Sequence, residues 1–148
     1  MRILHCISKL GSGGAGTALR NLMAEQQRSG HEIQWIAFGG DSGDYESEKY
    51  PIPDVIDFSF SRKDWRGKVT AMNFIREKLL EFDPEIVHSH LWPTTRLIEK
   101  TLEKTDLLHI VHVQDTLPWL FGTDWRSRWV RHVTQKLLSR RGDKVGLI

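Results

Sequence analysis

Side chains that could act on a hydroxyl-bearing ligand follow two apolar, strand-like runs of this sequence. His90 follows the run at residues 85–89, and Gln114 and Asp115 follow the run at residues 107–113. An aspartate at the tip of a strand can accept a proton from an acceptor hydroxyl, or it can hold a sugar through its two carboxylate oxygens. The imidazole of His90 can form hydrogen bonds with the same ligand. These residue types favour a site for a sugar-like molecule, with a loop-capping aspartate as the alternative for Asp115.

His88 and His90 also have the spacing of a metal-binding pair, because residues two apart on a strand share a face. A zinc site needs at least three protein ligands, and the sequence spacing offers no third one. We therefore predict no metal ion here, and we expect His88 to be packed in the interior. The other strand histidines are expected to be core or sheet-flanking residues rather than catalytic ones: His5, His109 and His112.

A glycine-rich loop lies between the first apolar run and the first predicted helix. Its sequence is Gly11-Ser12-Gly13-Gly14-Ala15-Gly16-Thr17. A loop that opens a helix offers backbone N–H groups and the positive end of the helix dipole to an anion. Glycines also remove side-chain bulk, so the backbone can closely approach a phosphate or a sugar hydroxyl. We predict that substrate is bound by this loop, with a packing turn as the alternative; the predicted binding residues are Gly13, Gly14, Gly16 and Thr17.

The same loop formally matches the G-x-G-x-x-G pattern of dinucleotide-binding proteins, but it lacks the usual context of that pattern. Ser8, Lys9 and Leu10 separate the strand from the first glycine. Apolar residues, Ile36 and Ala37, stand where an acidic residue is expected near the end of the second strand. No Gly-Lys-Ser/Thr follows, which excludes a Walker-type phosphate loop. A nicotinamide or flavin cofactor is therefore disfavoured, and no resident cofactor is predicted.

Hydrophobic periodicity predicts an alternation of strands and helices that would position these residues. The predicted strands span residues 3–7, 32–38, 55–60, 85–89, 107–113 and 144–148, and the predicted helices span residues 14–29, 65–82, 93–103 and 124–140. This alternation is typical of an α/β fold with a Rossmann-like, doubly wound, mainly parallel sheet and helices on both faces. Ligands of such sheets bind beyond the carboxyl ends of the strands. The glycine loop, His90, Trp92, Gln114 and Asp115 are therefore predicted to meet at one edge, where Trp92 would contact substrate.

Composition and charge fit one globular domain over residues 1–148. The chain has 39% hydrophobic residues, 27% charged residues and a net charge of +2, which gives no reason to expect nucleic-acid binding. No stretch has the length and apolar character of a transmembrane helix or a signal peptide, so a cytoplasmic location is predicted. The single cysteine, Cys6, is predicted to be a buried free thiol.

A basic, tryptophan-bearing helix is predicted near the carboxyl end of the sequence. Over Trp125–Arg141, apolar residues recur every four positions, and lysines and arginines occupy the other faces. Packing of the apolar stripe against the core is the favoured interpretation. Peripheral contact with the inner face of a membrane is the alternative, which a lipid-linked substrate would favour.

Four ordered segments of the sequence resemble motifs of one enzyme family. The first is the opening strand with Gly13-Gly14-Ala15-Gly16-Thr17, and the second is the turn Gly30-His31-Glu32-Ile33, similar to a Gly-His-Glu/Asp-Val turn. The third, Asp83-Pro84-Glu85-Ile86-Val87-His88-Ser89-His90, is similar to Asp-Ile-Val-His-Ser/Thr-His. The fourth, Ile110-Val111-His112-Val113-Gln114-Asp115-Thr116, stands where the family has a strand that ends in His-Asp or His-Asn. The family is that of the retaining family-4 glycosyltransferases with GT-B architecture, which this chain resembles over essentially its whole length.

The resemblance implies a Rossmann-like amino-terminal lobe that binds a sugar acceptor, either a glycan or a lipid-linked molecule. Family members use a nucleotide-sugar as the donor substrate, and a second, carboxyl-terminal lobe holds it. By this resemblance, Gly13 and Gly14 would lie near the donor phosphates, and His90 and Asp115 would act beside the acceptor as catalytic residues. Two alignments with the family are open here: Gln114 stands where a histidine is usual, or Asp115 itself takes the place of that histidine.

No segment of this sequence resembles the donor-binding lobe of the family. We therefore expect an extension or a separate polypeptide to supply it, and we expect the chain alone to be inactive. A non-catalytic module that binds a glycan or a protein partner is the alternative, which the replacement at Gln114 favours.

Overall fold

Six parallel strands and three helices make up the described part of the chain in a computed structural model. The structure describes residues 1–8, 14–39, 54–56, 65–112, 128, 132 and 145–147. The strands are β1 (Arg2–Ile7), β2 (Glu32–Phe38), β3 (Asp54–Ile56), β4 (Ile86–His90), β5 (Leu108–His112) and β6 (Val145–Leu147). The helices are α1 (Gly14–Arg28), α2 (Trp65–Phe82) and α3 (Trp92–Leu102).

The strand order is β3-β2-β1-β4-β5-β6, and each described neighbouring pair is parallel. This is the doubly wound order of Rossmann-like folds: the chain builds one half of the sheet outwards from β1 and the other half outwards from β4. The switch point, where loops diverge and leave a crevice, therefore lies between β1 and β4. The predicted fold class is confirmed.

Alternate side chains of the strands enter two separate hydrophobic clusters, one on each face of the sheet. On one face, Leu4 of β1 and Val87 of β4 pack with Ile75 of α2 and Ile98 of α3. On the opposite face, Ile3 and Ile7 of β1 pack with Leu19 and Met23 of α1. Truncation of a fully buried leucine or isoleucine such as these typically costs about 2–5 kcal/mol. The helices thus cover both faces, as predicted.

The boundaries of α1 and α2 follow local backbone chemistry. Gly30 has φ 80°, and its N–H donates to the Gln27 carbonyl at 3.0 Å, which ends α1 where the sequence predicted a glycine stop. Asp83 has φ 46° after α2 and precedes Pro84, which disfavours further helix. The predicted bounds of α2 and of β2 agree with the structure.

One boundary differs in a way that matters for the site. From the sequence, His90 was predicted just past a strand at residues 85–89, but β4 runs to His90, which is paired with Ile7 of β1 and His112 of β5. Neighbours on both sides hold the polar His-Ser-His segment extended, although its residue types do not favour a strand. His90 is therefore a fully buried strand residue.

Several predictions concern residues outside the described part of the chain. They include the strand beyond residue 56, Gly13, Gln114, Asp115 and most of the basic helix, of which Arg128 and His132 are described and helical. Cys6 is fully buried, as predicted, and burial raises the pKa of its thiol. Among the residues searched, no helix has the length and apolar character needed to cross a membrane.

Candidate functional site

The candidate site lies at the carboxyl ends of β1 and β4, on either side of the switch point. Ile7 and His90 form the last paired rung between these strands, and His112 extends that rung into β5. The first residue of α1, Gly14, and the first residue of α3, Trp92, belong to the two helices that follow these strands in the chain. The fold thus gathers the described members of the predicted site around one edge of the sheet.

The described part of the glycine loop leaves open space at the start of α1. Gly14 is exposed, and a Cβ atom built on it would meet no described atom within 4 Å. The described structure therefore shows no packing contact that requires glycine at position 14, and ligand binding by this residue stays a prediction. Gly16 is buried and Thr17 is exposed, so only Thr17 of these two offers a side chain to solvent.

The turn from β4 into α3 holds an unusual backbone conformation. Leu91 has φ 68° and ψ 143°, a region that costs a residue other than glycine about 1–3 kcal/mol. Its carbonyl accepts two hydrogen bonds from Thr95, one from the backbone N–H at 3.1 Å and one from the hydroxyl at 3.2 Å. These bonds fix the turn that sets the position of Trp92, a half-buried residue at the site edge.

Four histidines meet on the face of the sheet that α1 covers, and we call His5, His88, His90 and His112 the histidine cluster. The parallel register sets His5 beside His88, and it sets His90 beside His112. The ring centroids of His88 and His90 are 4.2 Å apart, and those of His5 and His88 are 4.9 Å apart. His112 lies 5.2 Å from His90 by the same measure. Ligand nitrogens of His5, His88 and His90 all lie within 4.8 Å of one another.

The hydrogen bonds of the histidine cluster assign its protons. The Gln26 side-chain oxygen, which can only accept, lies 2.8 Å from Nε2 of His5. His5 therefore donates through Nε2–H, and its Nδ1 carries a lone pair. Nε2 of His90, 3.1 Å away, donates its proton to that lone pair. The other nitrogen of His90, Nδ1, is then an unprotonated atom.

Burial keeps the histidine cluster neutral. Desolvation lowers the pKa of His5 to about 4 and that of His88 to about 3, with repulsion from neighbouring imidazoles adding to the effect. Desolvation also lowers the pKa of His90 and that of His112. Four buried side-chain polar atoms lack a hydrogen-bond partner in the described part of the chain, and three belong to this cluster: Nε2 of His88, Nδ1 of His90 and Nδ1 of His112. Unpaired buried nitrogens are costly, and they are also free to accept a ligand.

A second buried polar group occupies the opposite face of the same strands, and we call Ser89, Thr95, Glu99 and His109 the glutamate network. The Glu99 carboxylate contacts Nδ1 of His109, and Nε2 of His109 lies 2.8 Å from the Ser89 hydroxyl. The Ser89 hydroxyl lies 2.9 Å from that of Thr95. These side chains are at most 4% exposed.

The glutamate network has the residue order of a serine, a histidine base and a carboxylate, but it is sealed in the interior of the fold. Nδ1 of His109 faces the Glu99 carboxylate, and Nε2 of His109 shares a hydrogen bond with the Ser89 hydroxyl whose donor depends on the histidine tautomer. A serine nucleophile must reach a substrate carbonyl, whereas Ser89 and His109 are fully buried. The network instead connects β4, β5 and α3 through satisfied hydrogen bonds.

The structure therefore agrees with the predicted location of the described site residues but differs from the prediction in their burial and contacts. His90 and Trp92 lie at the same edge, as predicted, whereas His90 is buried rather than exposed to a cleft. His88 is buried as expected, but its Nε2 has no partner among the described residues. Sequence reasoning missed the meeting of His5 and His112 with the His88–His90 pair. The signal for it was two matching register positions, His5 with His88 and His90 with His112, which only a correct strand order reveals.

Comparisons with known proteins agree with this fold. The family model for Glycosyltransferase Family 4 matches residues 12–145. Sucrose-phosphate synthase from Thermosynechococcus elongatus superposes with a TM-score of 0.66 at 11% identity, over 93% of this chain and 40% of that protein. A glycosyltransferase from Rickettsia africae superposes with a TM-score of 0.61 at 17% identity, over 99% of this chain and 42% of that one.

A protein with a different named activity has a similar fold. UDP-GlcNAc 2-epimerase from Methanocaldococcus jannaschii has a TM-score of 0.68 at 14% identity, over 93% of this chain and 37% of its own. No curated protein shows significant sequence similarity to the chain. The chain spans about two-fifths of the length of these solved structures, and at such identities they establish the fold alone.

Proposed function

The chain belongs to glycosyltransferase family 4, and we propose that it is the acceptor-binding lobe of an enzyme that transfers a sugar from a nucleotide-sugar to a glycan or a lipid-linked acceptor. The observation that carries this proposal is the family match, which spans the glycine loop, β4 and the end of β5. The open space at Gly14 supports it, because a ligand can approach the backbone at the start of α1.

The proposed acceptor position is the carboxyl edge of β4 and β5. Trp92 offers an indole at this edge, and the rings of sugars pack well against aromatic faces, which combine apolar area with a polar edge. Asp115, which follows β5 in the chain, accepts the proton of the acceptor hydroxyl in this proposal. Gln114 hydrogen-bonds another hydroxyl of the same sugar. His90 is fully buried and so acts as a positioning residue: it ends β4 directly before the turn that sets Trp92.

The donor's phosphates are proposed to face the glycine loop. The acceptor oxygen forms a bond to the anomeric carbon of the donor sugar, the bond from that carbon to the phosphate oxygen breaks, and the nucleoside diphosphate leaves. The amino-terminal end of α1, with Gly13, Gly14 and Thr17, stabilises the developing negative charge through its N–H groups and dipole. A donor-binding lobe supplies the remaining contacts to the nucleotide, so transfer requires both lobes.

The test is a transfer assay in which the chain is combined with a donor lobe. A donor lobe encoded downstream in the same or the adjacent reading frame is added, with radiolabelled nucleotide-sugars and extracted glycan or lipid acceptors. We expect labelled acceptor only when both polypeptides are present. Binding of glycans by the chain with no transfer under any combination would instead favour a non-catalytic binding module.

A valine at position 14 separates ligand approach from packing. Gly14→Val places a branched side chain where the described structure has open space, so we expect transfer to be lost while the free energy of unfolding changes by less than about 1 kcal/mol. Asn21→Val places the same side chain on an exposed position of the same helix and should retain transfer. Unfolding of the Gly14→Val chain would contradict this assignment, because it would show that packing requires the glycine.

A further inference from the structure

We propose that His5, His88 and His90 form a binding site for one divalent transition-metal ion, of which Zn²⁺ is the biologically common one, between β1 and β4. The site goes beyond the proposed sugar transfer, and it needs neither donor nor acceptor. It rests on convergence of the ligand atoms, on the rigidity of the strands that carry them and on an outer partner that orients one ring.

The three ligand nitrogens have nearly the spacing that a tetrahedral ion requires. They all lie within 4.8 Å of one another, and Nδ1 of His5 lies 3.1 Å from Nε2 of His90. Zinc–nitrogen bonds of 2.0–2.1 Å at tetrahedral angles place neighbouring nitrogens about 3.3 Å apart. In the proposed site the third nitrogen comes from His88, which lies within 4.8 Å of the other two before an ion binds.

The backbone that carries these residues lies at the centre of the sheet, with a paired strand on each side. β1 and β4 are the two central strands, and parallel pairing fixes His5 beside His88 and Ile7 beside His90. Ligands on neighbouring strands of a central sheet cannot move apart without breaking the ladder. Such a scaffold holds metal-binding side chains more precisely than loops do.

Gln26 supplies the outer hydrogen bond that a metal-bound histidine normally makes. Its side-chain oxygen accepts Nε2–H of His5 at 2.8 Å, which turns the unprotonated Nδ1 of His5 towards the other imidazoles. Gln26 lies on α1, so the helix that follows the glycine loop also orients His5, one of the three metal-binding residues. Hydrogen bonds within the histidine cluster do not by themselves explain why these rings converge, because three imidazole nitrogens still have no partner among the described residues.

The protons of the histidine cluster allow an ion to enter without charging any imidazole. His90 gives up its Nε2 proton when that nitrogen binds the ion, and its own Nδ1, which has no partner among the described residues, takes up a proton. His88 binds through Nε2, another nitrogen with no described partner. His112 lies beside His88 and His90, with ring centroids 5.6 Å and 5.2 Å away.

The first test measures whether the purified full chain binds Zn²⁺. The chain is treated with a chelator, dialysed and titrated with ZnCl₂, and bound zinc is counted after removal of free ion. We expect one equivalent, and X-ray absorption at the zinc edge should show at least three imidazole nitrogens. No retained zinc, or zinc held by fewer than three imidazoles, would overturn the proposal.

Variants assign the site to these residues. Gln26→Leu removes only the outer partner and should weaken zinc binding by about 10- to 100-fold, whereas His88→Gln removes a ligand and should abolish stoichiometric binding. His31→Gln is the matched control, because this histidine precedes β2 at the opposite edge of the sheet. Equal zinc affinity in the wild-type, Gln26→Leu and His88→Gln chains would place the ion elsewhere and overturn the proposal.

Two further measurements test the metal site even if His88→Gln does not fold. Gln26 is only half-buried, so Gln26→Leu should keep the fold, and Co²⁺ provides a second measurement on the wild-type chain. A tetrahedral cobalt absorption spectrum that zinc displaces is expected, whereas an octahedral spectrum of solvated cobalt would contradict the site. Neither measurement uses a sugar, so failure of the metal site leaves the proposed transferase function to its own assay.

Discussion

The histidine cluster and the glutamate network occupy opposite faces of the same central strands, and they differ in whether their buried polar atoms have hydrogen-bond partners. In the glutamate network each described side chain has a partner, from the Glu99 carboxylate through His109 and Ser89 to Thr95. In the histidine cluster three imidazole nitrogens have none within the described structure. Ser89 and His90 are adjacent in the chain, yet one completes a network and the other does not.

The difference separates polar groups that hold the fold from polar groups available to a ligand. A satisfied buried network is costly to break and offers nothing to a binding partner, since its lone pairs and protons are already used. Converging nitrogens without partners lower stability unless something binds them. The comparison predicts a large stability effect on one face and a ligand-dependent effect on the other.

The largest effect should follow from breaking the glutamate network. Glu99→Ala leaves the imidazole of His109 buried without its carboxylate, and the free energy of unfolding should fall by about 3–5 kcal/mol, as for other broken buried pairs. Urea denaturation followed by tryptophan fluorescence measures this. The double variant Glu99→Leu/His109→Leu should recover part of the loss, because no polar group remains unpaired. An unchanged midpoint for Glu99→Ala would contradict a structural role.

Acid should weaken the fold through the histidine cluster. The pKa of His5 is about 4 in the folded chain against 6.5 in an unfolded one, so between these values only the unfolded chain binds the proton. The contribution of neutral His5 to the free energy of unfolding is therefore fully present above pH 6.5. This contribution falls by roughly 3 kcal/mol as the pH decreases towards 4.

Urea denaturation of the wild-type and His5→Phe chains across this range, with a chelator present, isolates that contribution from the carboxylates. The wild-type chain should lose more stability than the variant. Parallel pH dependences of the two chains would show that His5 is already protonated or solvated in the folded state.

Zinc should stabilise the folded chain only when the histidines on the α1 face are intact. At one hundred times its dissociation constant, an ion that binds the folded chain alone raises the free energy of unfolding by about 2.7 kcal/mol. We expect this gain in the wild-type chain and in a Thr101→Val variant of α3, whose hydroxyl bonds only the Leu97 carbonyl among the contacts described. The gain should vanish in His88→Phe. Thermal unfolding with and without zinc measures all three.

The smallest effect should come from removing an unpartnered imidazole without metal. His88→Phe replaces a buried ring by an apolar ring of similar shape and removes an unsatisfied nitrogen, so stability in a chelator should change by less than about 1 kcal/mol. A loss as large as that of Glu99→Ala would mean that His88 has a structural partner of its own.

Local sequence pattern predicted the elements of this fold well and the histidine cluster poorly. Apolar periodicity located β2 and α2 at their observed bounds, because each carries a long, regular pattern. The end of β4 was misplaced by one residue, because pairing with β1 and β5 keeps His90 extended whatever its own propensity.

The contacts of the site depend on strand order rather than on local spacing. His5 and His90 are separated by 85 residues, and they meet only because β1 lies beside β4. The glutamate network likewise joins residues 10 and 20 positions apart on three elements. The glycine stop at Gly30, by contrast, was predictable, since it depends on the backbone of one residue.

The central claim is that the two faces of the sheet have different roles, with ligand binding on the face of α1 and structural bonding on the face of α3. Nuclear magnetic resonance of the chain with ¹⁵N-labelled histidines, before and after one equivalent of zinc, tests it most directly. The account predicts that the imidazole signals of His5, His88 and His90 shift while that of His109 does not. Shifts confined to His109 or to His31, or no shift in any imidazole, would contradict it.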